Sequence, residues 1–552
     1  MHTRESFAGE IRESHSSPEA TESGIGGGHL VGRVGPLDLL FFLLTSASLV
    51  VLCLVRSRTR LMWSDELLGY GVLTAPSLRD TLAGWYQGAD GGGIFFYLFG
   101  RIWMEVFHPS ALSVRLYSTF SFIGSIGLIW WVARRFYAFA PVAIGVFFVY
   151  LTPDVVMWQE VNGRFYGFFM FAAALAVTMT LLTAEKDRLT TVELIGTAAA
   201  HALLIGSHIL GLVYSASLIV ALAVLDLSRR RIRWKLYASA LGGWIMLPIS
   251  AHAILASTSI AEKTFWTTKP RLIDLTYGAT LFDQWMIHQL LFAIALFNVG
   301  YLMRGRADGH PTGTGFTKSY HPAVFTVVGA IFLAEVVLFA KSRFGISVFA
   351  DRYLLPIGLA LVLLIAEGLS PFFRDSFFAK RSSAWRSAAV AAILLVAFSS
   401  RSIRKIPYDF VYPRVGYPER LLNHLPPEKT IVVTFMPTFL LLRAYDPTHH
   451  YVYLLDRTYD RSPRASMEDH SLQHLMENWK NAGLAKDDIL SFEDILSADN
   501  NFTLLTDPSR DIWLKDRLSE PSLSLQPVTS YDEWFQVKVW TVQRRDSHAA
   551  RQ

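Results

Sequence analysis

The chain has 552 residues, of which 52% are hydrophobic and only 18% charged, with a mean hydropathy of +0.31. Soluble domains carry about 25% charged residues, so the composition excludes an ordinary soluble enzyme and points to a membrane protein. The net charge of +5 fits arginines anchoring cytoplasmic loops better than nucleic-acid binding, and the single cysteine, Cys53, excludes an intrachain disulfide.

Residues 1–34 are polar, rich in Ser, Glu, Gly and His, and without periodicity. They read as a disordered cytoplasmic tail. The tail carries no short apolar core followed by a small-residue cleavage site, so the first apolar run is expected to be a retained anchor. A spanning helix needs about 20 apolar residues. Runs of that kind cover 37–55, 116–133, 138–152, 165–183, 191–207, 209–227, 235–255, 286–303, 322–340, 353–369 and 387–400. The expectation is a mainly α membrane bundle of about 11 helices (range 10–13) over residues 35–402.

The stretch "GGGIFFYLFGRIWMEVF" (91–107) is short and interrupted by Arg101 and Glu105. If it lies in the interface, Arg134, Arg135, Lys186, Arg188, "SRRRIRWK" (228–235), Arg304, Arg306, Lys380 and Arg381 all fall in cytoplasmic loops. If it spans, all of them face outside. Lys and Arg accumulate on the cytoplasmic side, so the interfacial reading is adopted. The first external loop, 56–115, still carries Arg56, Arg58, Arg60, Arg79, Arg101 and Arg115. These are read as snorkelling helix-end residues, with one or two as anion ligands. Beyond residue 402, "KTIVVTF" (429–435), "HHYVYLLD" (449–456), "NFTLLT" (501–506) and "WFQVKVWTV" (534–542) look like strands, and "SLQHLMENWKNAGL" (471–484) looks helical. The parity of eleven spans places this small α/β domain, 403–552, on the external side of the membrane.

Several charged clusters share the external end of the bundle. Asp65 and Glu66 in "MWSDELLGYG" open a loop of about 60 residues, far longer than an idle connection; Ser64 or Asp65 is also a candidate N-cap. Asp90 sits in "QGADGGGIF", and Glu160, Arg164 and Tyr166 in "TPDVVMWQEVNGRFYGFF" (152–169). His208 falls in the turn "GSHILG". Glu335 lies inside a span's outer end, and Asp351, Arg352 and Tyr353 close "KSRFGISVFADRY". A transporter places its ionisable groups near the midplane, on interrupted helices in repeated halves. No such symmetry is visible, so the clusters describe chemistry at the outer leaflet.

In order along the chain, "W-S-D-E", "L-S-V-R-L-Y-S", "R-F-Y-G", "S-H" and "D-R-Y-L-L-P" resemble the GT-C glycosyltransferases. The branch of protein O-mannosyltransferases and aminoarabinose transferases is the most similar, over residues 35–370. The resemblance implies transfer of a sugar from a polyprenyl-phosphate donor to a hydroxyl of a glycan, lipid or protein acceptor at the external face. It implies Asp65 as the catalytic acidic residue, with Glu66 beside it. Chemically, a carboxylate can take the acceptor proton, and arginines can hold the leaving phosphate; Arg352 with Tyr353, and Arg164, are the candidates. Asp90, Glu160, Tyr166, His208 and Glu335 are further substrate-binding candidates. No cofactor is required, because cationic side chains can do the work of a metal; a divalent metal stays open. Relatives carry His-Pro-Pro or Glu-Lys-Pro where this chain has "ADGGG", which leaves the acceptor class open. The alternative reading is a lipid or sugar transporter or flippase without covalent chemistry.

Overall fold

In the computed structural model the described residues are 34–152, 154–264, 269–276, 321–374, 419–456 apart from 424, 427 and 428, 467–499, 501–506, 518–531 and 537–544, with isolated positions between. The tail 1–33, most of the expected span 286–303, all of 387–400, and Arg304, Arg306, Lys380 and Arg381 lie outside them.

The first part of the chain is helical: α1 (Pro36–Thr59), α2 (Ser64–Leu73), α3 (Leu78–Tyr86), α4 (Ile94–Phe107), α5 (Ala111–Ala133), α6 (Phe139–Tyr150), α7 (Asp154–Glu160), α8 (Tyr166–Ala184), α9 (Thr191–Ser207) and α10 (Gly211–Ser228). Then α11 (Trp234–Gly242) runs through a 3-10 turn into α12 (Met246–Thr264), followed by α13 (Pro322–Phe344) and α14 (Ile357–Arg374). Among the described residues, six helical runs are long and apolar enough to cross a membrane: α1, α5, α8, α10, Trp234–Ser257 and α13. The apolar helices α6, α9 and the Ile357–Ser370 part of α14 are shorter. Every expected apolar run within the described residues falls on one of these helices. Burial orders the bundle: the apolar window of α8 is 78% buried, that of α1 only 22%. So α8 is central and α1 peripheral.

The helix α4 has 14 residues, short of the roughly 17 needed to span. Its Phe99, Ile102, Val106 and Phe107 are exposed, while Phe96, Tyr97 and Met104 face the protein. With α2 and α3 it fills the connection between α1 and α5 with ordered structure.

The C-terminal part forms one six-stranded sheet, order β3-β2-β1-β4-β6-β5. Its strands are β1 (Ile431–Val433), β2 (Tyr451–Leu454), β3 (Ile489–Leu490), β4 (Asn501–Thr506), β5 (Leu523–Tyr531) and β6 (Val537–Arg544). The parallel pairs β1–β2, β2–β3 and β1–β4 need crossovers. These are α15 (Met436–Tyr445), α16 (Met467–Asn481) and α17 (Phe492–Ala498). The pairs β4–β6 and β5–β6 are antiparallel. Alternation divides the sheet's two faces. Val432, Val452, Leu454, Phe502 and Leu504 pack with α17 in a core of their own. Ile431, Val433, Tyr451 and Tyr453 join α15 and α16 in a core continuous with the helical bundle. One face of the sheet is therefore anchored on the membrane part, at the end where the α1–α5 connection lies.

Strands β3 and β5 were not expected. The first is two residues long. The second carries Pro527 beside a register shift, which an edge strand tolerates.

Candidate functional site

The first turn of α2 orders the two acids. Its N-cap is Trp63, not Ser64 or Asp65. Glu66, at the third helical position, accepts the Trp63 N–H at 3.2 Å, and this fixes where the helix starts. Neighbouring helical residues point about 100° apart, so the two carboxylates leave in different directions. Asp65 meets Arg352 at 3.2 Å from the 3-10 turn Asp351–Tyr353. Glu66 enters the protein, where Arg115 of α5 grips it with two bonds of 2.8 Å and the Gly163 N–H adds a third at 2.8 Å.

Arg115 also donates to the Arg60 and Leu61 carbonyls at 3.0 Å and to that of Arg56 at 3.3 Å. Of its five bonds, two hold Glu66 and three go to carbonyls at and just after the end of α1. Glu66 and Arg115 thus form a buried brace joining α1, α2 and α5, with both Glu66 oxygens engaged by hydrogen bonds from Trp63, Gly163 and Arg115. Of the pair expected to be catalytic, only Asp65 faces the candidate site. The expectation that the first-loop arginines are snorkellers or anion ligands is corrected for Arg115, and Arg101 pairs with Glu105 at 2.9 Å. Two more of these arginines, Arg56 and Arg60, lie over the Trp158 ring at 3.4 and 5.4 Å.

Arg164 links the next two groups. Its Nη1 donates to the Asp65 backbone carbonyl and, at 2.6 Å, to Asp90; the other Asp90 oxygen accepts from the Tyr97 hydroxyl at 2.5 Å. Burial works against the Arg164 charge, but Asp90 and Asp65 beside it outweigh that and raise its pKa. Gly69 of α2 makes the approach possible: a Cβ there would sit 3.3 Å from the Asp90 carboxylate and 3.7 Å from Arg164. Arg352 is likewise opposed by burial and held charged by Tyr166, Tyr353 and Asp65. Tyr166 is buried at the start of α8. Its hydroxyl has no hydrogen-bond partner, and the Arg352 guanidinium lies 5.9 Å from its ring.

His208 caps α9 between the rings of Phe165 (4.8 Å) and Tyr353 (5.3 Å). The Leu210 N–H donates to its Nδ1 at 3.2 Å, so the proton resides on Nε2. Burial, with Arg164 and Arg352 nearby, lowers its pKa to about 3. His208 is therefore a neutral donor rather than a base. An unfolded histidine protonates below about 6.5. The stability contributed by the neutral buried ring is complete above that value and is lost as pH falls from about 6.5 towards about 3, by up to about 1.4 kcal/mol per pH unit. The melting temperature of wild type should accordingly fall more steeply than that of His208→Asn between pH 6.5 and 4.5. Parallel slopes in a thermal-shift series would refute this.

Asp90, His208 and Tyr353 line a cavity of about 220 Å³ with Trp85, Gly91–Gly93, Ile205, Ile209 and Leu210, residues of α12, and Lys341, Ile346 and Val348 at the end of α13. Its wall is mainly apolar; Asp65, Arg164, Tyr166 and Arg352 are not among its lining residues and connect to it through Asp90 and Tyr353. Lys341 was not singled out in the sequence, although it opens the "KSRFGISVFADRY" segment. Its signal was a cation at the C-terminal end of an apolar run.

Two candidates fall elsewhere. Glu160 is fully buried at the end of α7, with both carboxyl oxygens lacking a hydrogen-bond partner. Burial raises its pKa well above the ordinary value, which keeps it neutral. Glu335 is buried on α13, within electrostatic range of Tyr214, whose hydroxyl donates to the Tyr353 carbonyl at 2.9 Å. Among the described residues no three His, Cys, Asp or Glu side chains gather as a metal site.

Solved structures share this architecture. ArnT of Cupriavidus metallidurans bound to undecaprenyl phosphate aligns with a TM-score of 0.52 and 13% identity, over 91% of this chain and 97% of that one. Its apo form aligns at 0.53 and 15% identity with the same coverage. The chain shares the fold of ArnT, which is a GT-C glycosyltransferase. No family model matches the chain, and no curated protein matches its sequence. The likeness to ArnT thus rests on shape, with the fold running through both the helical bundle and the C-terminal sheet.

Proposed function

We propose that this GT-C protein is a membrane glycosyltransferase that moves a sugar from a polyprenyl-phosphate donor to an acceptor hydroxyl at the external face. The observation that carries the reading is the Asp65–Arg352 pair at 3.2 Å: a carboxylate and a guanidinium joined to a largely apolar cavity through Arg164 and the lining residues Asp90 and Tyr353, in a fold whose ArnT neighbour is bound to undecaprenyl phosphate.

The roles follow from the chemistry. Asp65 accepts the proton of the acceptor hydroxyl as that oxygen attacks the anomeric carbon. The bond from that carbon to the carrier phosphate oxygen breaks, and the phosphate leaves with the electron pair. Arg352, with Lys341 at the cavity wall, stabilises that charge, since a guanidinium fork matches phosphate oxygens. The unpartnered Tyr166 hydroxyl and the His208 Nε2–H are neutral donors for sugar or phosphate oxygens. Arg352 rests on Asp65 at 3.2 Å. An incoming phosphate would draw Arg352 away and leave the Asp65 carboxylate to act as base, so donor binding itself activates the acid.

Purified protein given undecaprenyl-phosphate-linked sugars and candidate acceptors should release free undecaprenyl phosphate. Movement of the lipid across a vesicle without any release would support the transporter reading instead. Arg352→Ala should weaken undecaprenyl phosphate binding about 10- to 100-fold, as expected for losing a charged hydrogen bond of ~1.5–3 kcal/mol. Arg352→Lys should recover only part, because an ammonium lacks the fork. Equal affinity in all three proteins would remove Arg352 from the phosphate site.

A further inference from the structure

The α/β domain grips the α1–α5 connection at two points, one behind each carboxylate of the proposed site. The Tyr445 hydroxyl of α15 accepts the Met62 N–H at 2.8 Å, three residues before Asp65. Trp479 of α16 donates from Nε1 to the Ala89 carbonyl at 3.0 Å, immediately before Asp90, and its neighbour Asn478 reaches the Gly88 carbonyl at 3.4 Å.

Trp479 is 2% exposed, yet much of what surrounds it comes from the membrane part. Its ring fills a slot left open by Gly71 of α2, where an added Cβ would stand 2.3 Å from the indole. On the far side of the same loop, Gly88 adopts φ +67°, and a Cβ there would meet the backbone of Ser257 at 2.9 Å. The Gly93 N–H donates to the Ser207 carbonyl at 3.0 Å, next to His208. The 88–93 loop is therefore held between α16, α12 and the end of α9. Asp90 within it orients Arg164, which in turn holds the Asp65 carbonyl.

We infer that the C-terminal domain sets the position of the site's carboxylates, with Trp479 as a positioning residue that fixes the Asp90 loop. This rests on the proposed function for its chemical meaning, but the coupling can be tested without turnover. An indole that only filled a core would, on removal, loosen the whole protein. An indole that positions the loop would loosen residues 86–93 first.

The test is hydrogen exchange on the full-length protein in detergent, with undecaprenyl phosphate binding measured in parallel. Trp479→Ala should speed exchange across 86–93 at least tenfold, where the Gly88, Ala89 and Gly93 amides are bonded, and leave the spans unchanged. Trp479→Phe, which keeps a ring but loses the Ala89 bond, should show a smaller rise. Gly71→Ala, which crowds the slot with Trp479 still present, should mimic Trp479→Ala. Unchanged exchange at 86–93 in both Trp479→Ala and Gly71→Ala would overturn the inference, as would an equal rise throughout the protein. Failure of the wild type to bind undecaprenyl phosphate would overturn the proposed function instead, and the exchange result would still stand.

Discussion

Asp65→Asn is expected to slow sugar transfer by about 10²–10⁴-fold, the range a positioned general base supplies, while leaving the protein folded and able to bind undecaprenyl phosphate. The substitution is nearly isosteric, and the Asp65 side chain is 26% exposed, so little packing is disturbed. Its backbone carbonyl, which Arg164 holds, is untouched. The variant should bind the carrier at least as tightly as wild type, because Arg352 no longer has a carboxylate competing with phosphate. Release of undecaprenyl phosphate from a labelled donor reads the first effect, and titration with undecaprenyl phosphate reads the second. Wild-type turnover in this variant would remove Asp65 from the chemistry.

The adjacent substitution should fail for a different reason. Glu66→Gln leaves the Arg115 guanidinium buried, its side chain 3% exposed, with no anion beside it. Breaking a buried pair from one side costs about 3–5 kcal/mol, against a total stability of about 5–15 kcal/mol for a typical domain. The expected result is a large drop in folded yield and melting temperature. Adding Arg115→Met should restore part of it, since an apolar pair tolerates burial. Recovery stays incomplete because the carbonyls of Arg56, Arg60 and Leu61 lose their donor. A Glu66→Gln protein that melts with wild type but does not turn over would instead place Glu66 in the chemistry.

These two outcomes separate neighbours that look alike in the sequence. Periodicity and loop position were enough to bring Asp65, Asp90, Arg164, His208, Arg352 and Tyr353 to one end of the bundle, and the structure gathers them there. What could not be read was pairing. Arg115 lies 49 residues from Glu66, and nothing in a run of span-end arginines marks the one that turns inward. Glu160 shared a sequence segment with Arg164, but α7 ends between them and sends the two side chains to different places. The strands β1, β2 and β4 were legible because their burial is nearly continuous. The edge strands β3 and β5 were not, being too short in one case and interrupted by proline in the other. Trp479 gave no sign at all, since its slot is left open by Gly71, far away in the chain.

That distance has a consequence for how the protein is made. Trp479 and Ala89 are 390 residues apart. At about 5–20 residues per second, the ribosome needs roughly 20–80 s after producing the Asp90 loop to produce the indole that seats it. Through that interval the bundle can insert and the Glu66–Arg115 brace can close, while the loop waits open. The site is finished last, by the end of the chain, so a truncated product would carry Asp65, Asp90 and their arginines without the grip that holds them in place.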